Sequence, residues 1–205
     1  MSGLTPGPSP LPAKIARILI TGFMGAGKTT VGRLLAERLG WDFADSDHRL
    51  EAQTGQTIAA LFETQGEPAF RELEAATILE TVTPQRLVLA LGGGALEQPQ
   101  TRDRLASLPD SILIFLDAPL DVLVSRCCDQ ANAPVRPVLA DRARLEARWT
   151  ARLPWYRLAH LTVDTAGRSP QQVAERIFAD IAERCCGTGP ESASLPKRRS
   201  AGVPA

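Results

Sequence analysis

Gly22-Phe23-Met24-Gly25-Ala26-Gly27-Lys28-Thr29 places three glycines, a lysine and a hydroxyl residue at the spacing of the phosphate-binding pattern G-x-x-x-x-G-K-[ST]. Glycines let the backbone fold tightly around an anion, so that successive N–H groups point inward at a β-phosphate. Lys28 adds a point charge that can follow the β- and γ-phosphates, and the Thr29 hydroxyl is the expected protein ligand for Mg²⁺. Such a loop implies a bound nucleoside triphosphate. Phosphoryl transfer further needs a group that orients an acceptor hydroxyl and cations over the migrating phosphoryl group.

Candidates for those parts recur along the chain. Asp45 and Asp47, two residues apart, can divide labour, one holding Mg²⁺ and the other accepting a hydrogen bond from a substrate hydroxyl. The competing reading makes Ser46 or Asp47 the cap of a following helix, which accounts for one aspartate at most. Asp117 ends an apolar run, Ile112 to Leu116, as a metal-binding aspartate can, but Ala118-Pro119 follows and favours a helix cap there too. Arg71 has Glu67 four residues before it and Glu74 three after, which by itself reads as an ion-paired, solvated helix face. Arg136 and Arg152 lie in an arginine-rich region and are equally ambiguous taken singly. Gly92-Gly93-Gly94 is more telling, because three glycines after a strand let a ligand approach bare backbone.

The elements that must position these residues follow from hydrophobic periodicity. Apolar runs at 15–21, 41–44, 86–91, 111–116 and 161–164 predict buried strands. Helical patterns occupy 28–39, 46–53, 57–64, 66–81 with Pro68 in the first turn, 99–107, 119–126, 141–159 and 170–186, while 127–140 reads as loop. Val31, Leu34, Leu35 and Leu39 form the buried stripe of the first helix, and Gly40 is placed to cap it. Strands alternating with helices predict an α/β fold, a parallel sheet covered on both faces, with ligands beyond the carboxyl ends of its strands.

Composition bounds the rest. Of 205 residues, 1–13 form a Pro-rich leader and 187–205 a Gly, Ser and Pro-rich tail carrying Lys197-Arg198-Arg199; both are expected to be disordered, leaving 14–186 as one folded domain. Twenty-three basic and 23 acidic residues cancel, so no global field attracts nucleic acid or an anionic membrane. No apolar run reaches membrane-spanning length and no signal-peptide pattern opens the chain, so a cytoplasmic location is expected. The four cysteines form two adjacent pairs, Cys127-Cys128 and Cys185-Cys186, and are expected to be reduced, structural thiols. No N-K-x-D element marks a guanine-specific GTPase. Intact Lys28 and Asp47 argue against a nucleotide-binding module that has lost catalysis.

Six segments in order, Gly22 to Thr30, Asp45-Ser46-Asp47, Gly66 to Glu74, Leu91 to Ala95, Arg136-Pro137-Val138-Leu139 and Arg152-Leu153-Pro154-Trp155-Tyr156, give the chain its resemblance to the shikimate kinases, from about Ile15 to Ile181. The resemblance implies a nucleoside monophosphate kinase-like three-layer fold, its five parallel strands ordered 2-3-1-4-5, with a mobile lid. It implies ATP bound by Gly25, Ala26, Gly27, Lys28, Thr29 and Thr30, with Arg126, Arg168 and Pro170 near the adenine, and Mg²⁺ held by Thr29 and Asp45. It implies shikimate bound by Asp47, Arg71, Arg152 and the triplet Gly92, Gly93 and Gly94. Arg71 and Arg152 would grip the carboxylate, for which planar bidentate donors suit. Asp47 would orient and deprotonate the 3-hydroxyl, and Arg136 would close over the phosphates from the lid. The interval between Arg126 and Arg136 is a few residues longer than the resemblance leads one to expect. A monomer acting on shikimate and ATP is expected; the rival substrates are gluconate and nucleoside monophosphates.

Overall fold

A computed structural model describes residues 14–128 and 141–185. The leader, the tail from 186 onward, Arg136 and most of the expected loop 127–140 lie outside the described residues. Five parallel strands, β1 (Arg17–Thr21), β2 (Asp42–Asp45), β3 (Leu87–Ala90), β4 (Ser111–Asp117) and β5 (Leu161–Asp164), lie in the order β2-β3-β1-β4-β5. The helices are α1 (Lys28–Leu39), α2 (Ser46–Thr54), α3 (Ile58–Thr81), α4 (Pro99–Ala106), α5 (Leu120–Cys128), α6 (Arg142–Tyr156) and α7 (Pro170–Cys185).

The strands sort by burial as their sequences require. β1 and β3 are buried at every position, whereas β5 at the edge alternates buried and exposed residues. Ile18 faces Val88 on one side and Ile112 on the other, and one continuous core runs from Ile18 to Ile181. Arg17 is buried at the start of β1, where its guanidinium donates to the carbonyls of Val82, Thr83 and Pro109. A buried charge is tolerated there because its donors are used.

In α1, Val31 and Leu35 are buried with Gly32 and Ala36, while Leu34 and Leu39 lie partly buried beside them. Gly40 caps the helix in the left-handed region at φ 63°, its N–H donating to the carbonyls of Ala36 and Glu37. The helical patterns 57–64 and 66–81 are one helix broken at Gly66, whose φ of 77° and ψ of 170° are not helical. Pro68 follows in the first turn of the second half, where its missing N–H costs nothing. The break redirects the chain so that the face carrying Phe70, Arg71 and Glu74 turns inward.

Two capping expectations change. Asp45, not Ser46 or Asp47, caps α2, its Oδ1 accepting from the backbone N–H groups of Asp47 and His48 at 3.0 and 3.4 Å. Asp117 ends β4 and α5 begins at Leu120, so Asp117 stands short of the capping position and its carboxyl instead takes a hydrogen bond from the Ala118 backbone.

Candidate active site

The phosphate-binding loop is built by the turn from β1 into α1. Gly22, Gly25 and Gly27 all have positive φ, and at Gly25 an added Cβ would lie 2.3 Å from the Leu123 carbonyl oxygen of α5. The loop is thus clamped between its own helix and α5, with the N-terminus of α1 directed at any anion it holds. The Lys28 ammonium donates to the carbonyls of Gly22 and Phe23 at 3.0 and 3.1 Å, which keeps it folded over the loop. Thr29 donates its hydroxyl to Asp45 Oδ2 at 2.6 Å, joining the start of α1 to the end of β2. Thr30 lies one residue further, exposed on α1.

Gly25, Gly27, Lys28, Thr29, Thr30 and Asp45 border a cavity of about 930 Å³ that also reaches Asp47, Arg71 and Arg152. Three distant parts of the chain therefore converge beside Lys28, as the sequence reading requires. Asp47 sits in the first turn of α2, and burial, reinforced by the charge of Asp45, raises its carboxyl above the ordinary carboxylate range against the pull of Lys28. Opposite it lies Glu74, only 3% exposed. Burial raises Glu74 as well, while its 2.7 Å ion pair with Arg71 Nη1 works in the other direction.

The solvated face expected around Arg71 is a correction. Arg71 is 7% exposed and Glu74 is buried, and only Glu67 of the trio stands in solvent. Read backward at helical spacing from Ile78, the buried positions Ala75, Glu74 and Arg71 fall on one stripe, a signal that local charge pairing obscured. Arg71 Nη2 also bonds Glu97 Oε2 at 3.2 Å, and Arg152 Nη2 bonds the same oxygen at 2.8 Å. Glu97 closes a short 3₁₀ turn, Ala95–Glu97, which follows the glycine triplet and has no counterpart among the elements expected from sequence.

The triplet is explained residue by residue. A Cβ on Gly92 would come within 2.5 Å of Glu74 Oε1 and 2.6 Å of Asp47 Oδ1. On Gly94 it would meet Arg71 Nη2 at 2.5 Å and Glu97 Oε2 at 2.6 Å. Gly93 has only ordinary contacts, and its carbonyl accepts from the Tyr156 hydroxyl at 2.6 Å. Tyr156, stacked on Phe115 and pushed up by burial, stays a neutral donor that fixes the loop. Sequence reasoning gave Tyr156 no role of its own and gave none at all to Phe62, which stacks on Phe70 at a centroid distance of 4.2 Å and lines the cavity.

The far end of the cavity is formed by Arg126, Arg168 and Pro170. Arg126 is anchored to the Thr165 hydroxyl and carbonyl at 2.9 and 2.6 Å, and Arg168 to Asp164. Arg148 and Arg144 extend the cationic lining one and two turns before Arg152 on α6. Arg148 has no ion pair among the described residues, and burial followed by repulsion from Arg152 and Arg144 lowers its pKa. Among the described residues, neither Cys127, buried behind Gly25, nor exposed Cys128 is in a disulfide.

The 2-3-1-4-5 parallel sheet with its phosphate loop and opposed acceptor cavity defines a P-loop kinase of the nucleoside monophosphate kinase-like class. The shikimate kinase family model matches residues 24–182. The shikimate kinase of Psychrobacter sp. strain PRwf-1 is 43% identical over 162 residues, spanning 78% of this chain and 89% of that protein. A shikimate kinase from Acinetobacter baumannii, solved in complex with shikimate, superposes with a TM-score of 0.75 at 37% identity, covering 82% of this chain and 94% of that one. The chain belongs to the shikimate kinase family. A gluconokinase from Sinorhizobium meliloti shares the fold at a TM-score of 0.59 and 20% identity, covering 82% of this chain and 92% of its own, so architecture alone does not choose the acceptor.

Proposed function

We propose that this chain transfers the γ-phosphoryl group of ATP to the 3-hydroxyl of shikimate, giving shikimate 3-phosphate and ADP, in the biosynthesis of aromatic amino acids. The observation that carries this reading is the meeting of Asp47, Arg71 and Arg152 in one cavity with the phosphate loop. Arg71 and Arg152 bind the carboxylate of the ring, for which two guanidinium groups offer planar paired donors. Asp47 accepts the hydrogen bond of the 3-hydroxyl and then its proton, a task helped by a carboxyl whose pKa already stands high. Gly93 and Gly94 border the cavity and let the ring lie close to the backbone, Gly92 leaves room for Asp47 and Glu74, and Phe62 and Phe70 cover the apolar face of the ring.

ATP lies with its phosphates in Gly25 to Thr30 and its base toward Arg126, Arg168 and Pro170. Thr29 Oγ1 and Asp45 Oδ2, 2.6 Å apart, form a pair of hard oxygens that fits Mg²⁺. When bound there with the nucleotide, that ion would neutralise charge on the β- and γ-phosphates. Arg136, which lies outside the described residues, is given the role of stabilising charge on the migrating phosphoryl group. Among the described residues no helix is long and apolar enough to cross a membrane; a cytoplasmic monomer completes the proposal.

Release of ADP followed by a coupled assay tests it. ADP should form rapidly with shikimate, and slowly with gluconate, nucleoside monophosphates or no acceptor. Equal rates with and without shikimate would remove the proposed acceptor.

A further inference from the structure

Glu97 sits where the acceptor's carboxylate is needed. One of its oxygens accepts from Arg71 at 3.2 Å and from Arg152 at 2.8 Å, so the two guanidinium groups are no farther apart than these two bonds laid end to end. Arg71 is already paired with Glu74 and Glu67, which leaves Glu97 as the one carboxylate that, among the described residues, is shared with Arg152. A second carboxylate bound by the same two arginines, with Glu97 still seated, would set two anions side by side over one pair of cations.

From this geometry we infer that Glu97 is an intramolecular stand-in for the acceptor's carboxylate, a gate that the acceptor must displace in order to bind. The inference rests on the assignment of Arg71 and Arg152 as the carboxylate clamp. Three features suit a gate better than a fixed wall. The Glu97 side chain is 32% exposed, against 9% for either arginine, so its ion pairs are weakened by solvent and reversible. Its backbone does not move with it, because Arg102 Nη1 holds the carbonyls of Leu96 and Glu97 at 2.7 and 2.8 Å and stacks over Trp155. Glu97 also borders a second hollow of about 580 Å³, shared with Glu67, Arg71, Glu72, Gln98 and Gln100, into which a side-chain rotation can carry the carboxylate away from Arg152. The gate keeps the charges of Arg71 and Arg152 compensated in the free protein and makes entry depend on an anion that can chelate both. A monodentate or weakly placed anion gains too little to open it.

A closed form favoured about tenfold lowers apparent acceptor affinity by the same factor, since only the open fraction binds. Glu97→Gln and Glu97→Ala should therefore lower the KM for shikimate about tenfold. The KM for ATP, bound at the other end of the cavity, should move by less than about twofold. Both free variants should melt below the wild type, because the arginine pair loses its counter-charge, and shikimate should restore more of the Tm than it adds to the wild type. A KM for shikimate that is unchanged or raised in both variants would overturn the gate, for it would mean that Glu97 stays seated and positions the arginines. Binding of cyclohex-1-ene-1-carboxylate, followed by calorimetry on the same proteins, separates this inference from the proposed reaction. If the wild type does not phosphorylate shikimate, tighter binding of that simple carboxylate by the two variants still supports the gate. Equal or weaker binding refutes it.

Discussion

Asp47 Oδ1 and Glu74 Oε1 converge on the same point above Gly92, each within 2.6 Å of where a Cβ would stand. Two carboxylates held this close do not favour full ionisation, and the charge of Asp47 helps to raise Glu74. Arg71 on one side and Lys28 on the other offset part of that cost. The missing side chain at position 92 is therefore a condition for the arrangement of the acid and its ion-paired neighbour.

Gly92→Ala should leave the fold intact, because Gly92 lacks a positive φ and the groups in the way are side-chain ends. The methyl group must displace Asp47 or Glu74, and a shift of about 1 Å in a positioning group can cost about 10²-fold in rate. Circular dichroism and thermal melting should match the wild type while kcat falls. Near-wild-type turnover would show that Asp47 does not need its present place.

Asp47→Asn should abolish nearly all turnover, by about 10²- to 10⁴-fold, while ATP still binds. It should also make the free protein more stable at neutral pH. The folded chain holds the Asp47 proton more tightly than the unfolded chain, so ionising this group costs stability. That cost is absent below the ordinary value of 3.8 and complete once the pH passes the raised folded value. Melting curves of wild type and variant should differ at pH 7 and coincide near about pH 3. A variant less stable at pH 7 would contradict the dominance of burial at this site.

The acid limb of kcat/KM for the acceptor should lie above the ordinary carboxylate range, because Asp47 must be ionised to accept the hydroxyl proton and its pKa is raised. The limb should vanish from the residual activity of Asp47→Asn. Rate profiles between pH 4 and 8 decide this; an unchanged limb in the variant would assign it to another group.

Much of this site was legible from residue types because it is encoded locally. The phosphate loop needs positive φ at Gly22, Gly25 and Gly27, and only a few residue types at fixed spacing serve there. β3 and β4 announced themselves as unbroken apolar runs, since both of their faces are covered. The break at Gly66 was equally visible as glycine followed by Pro68. What stayed hidden depends on contacts between distant segments. Glu74 reads in the sequence as one half of a surface pair, whereas α3 buries it. Glu97 meets Arg152, 55 positions away, and nothing near either residue signals the encounter. Asp45 reads in the sequence as a metal ligand alone, yet its two oxygens serve separate purposes, one capping α2 and one receiving Thr29.

Arg152→Lys should raise the KM for shikimate by far more than the KM for ATP. Lysine keeps the charge but loses the planar paired donors, and Arg152 lies 7% exposed where solvent cannot replace them. Steady-state kinetics with each substrate varied in turn provides the check. The opposite pattern, ATP affected and shikimate spared, would put the clamp elsewhere.

The most direct test of the central claim is the position of the transferred phosphorus. Phosphorus–proton correlation NMR of the product formed from shikimate and ATP should show phosphorus coupled to the ring proton at carbon 3, in an amount equal to the ADP released. Phosphorus on another hydroxyl, or ADP formed without phosphorylated shikimate, would contradict the convergence of Asp47, Arg71 and Arg152 on the acceptor.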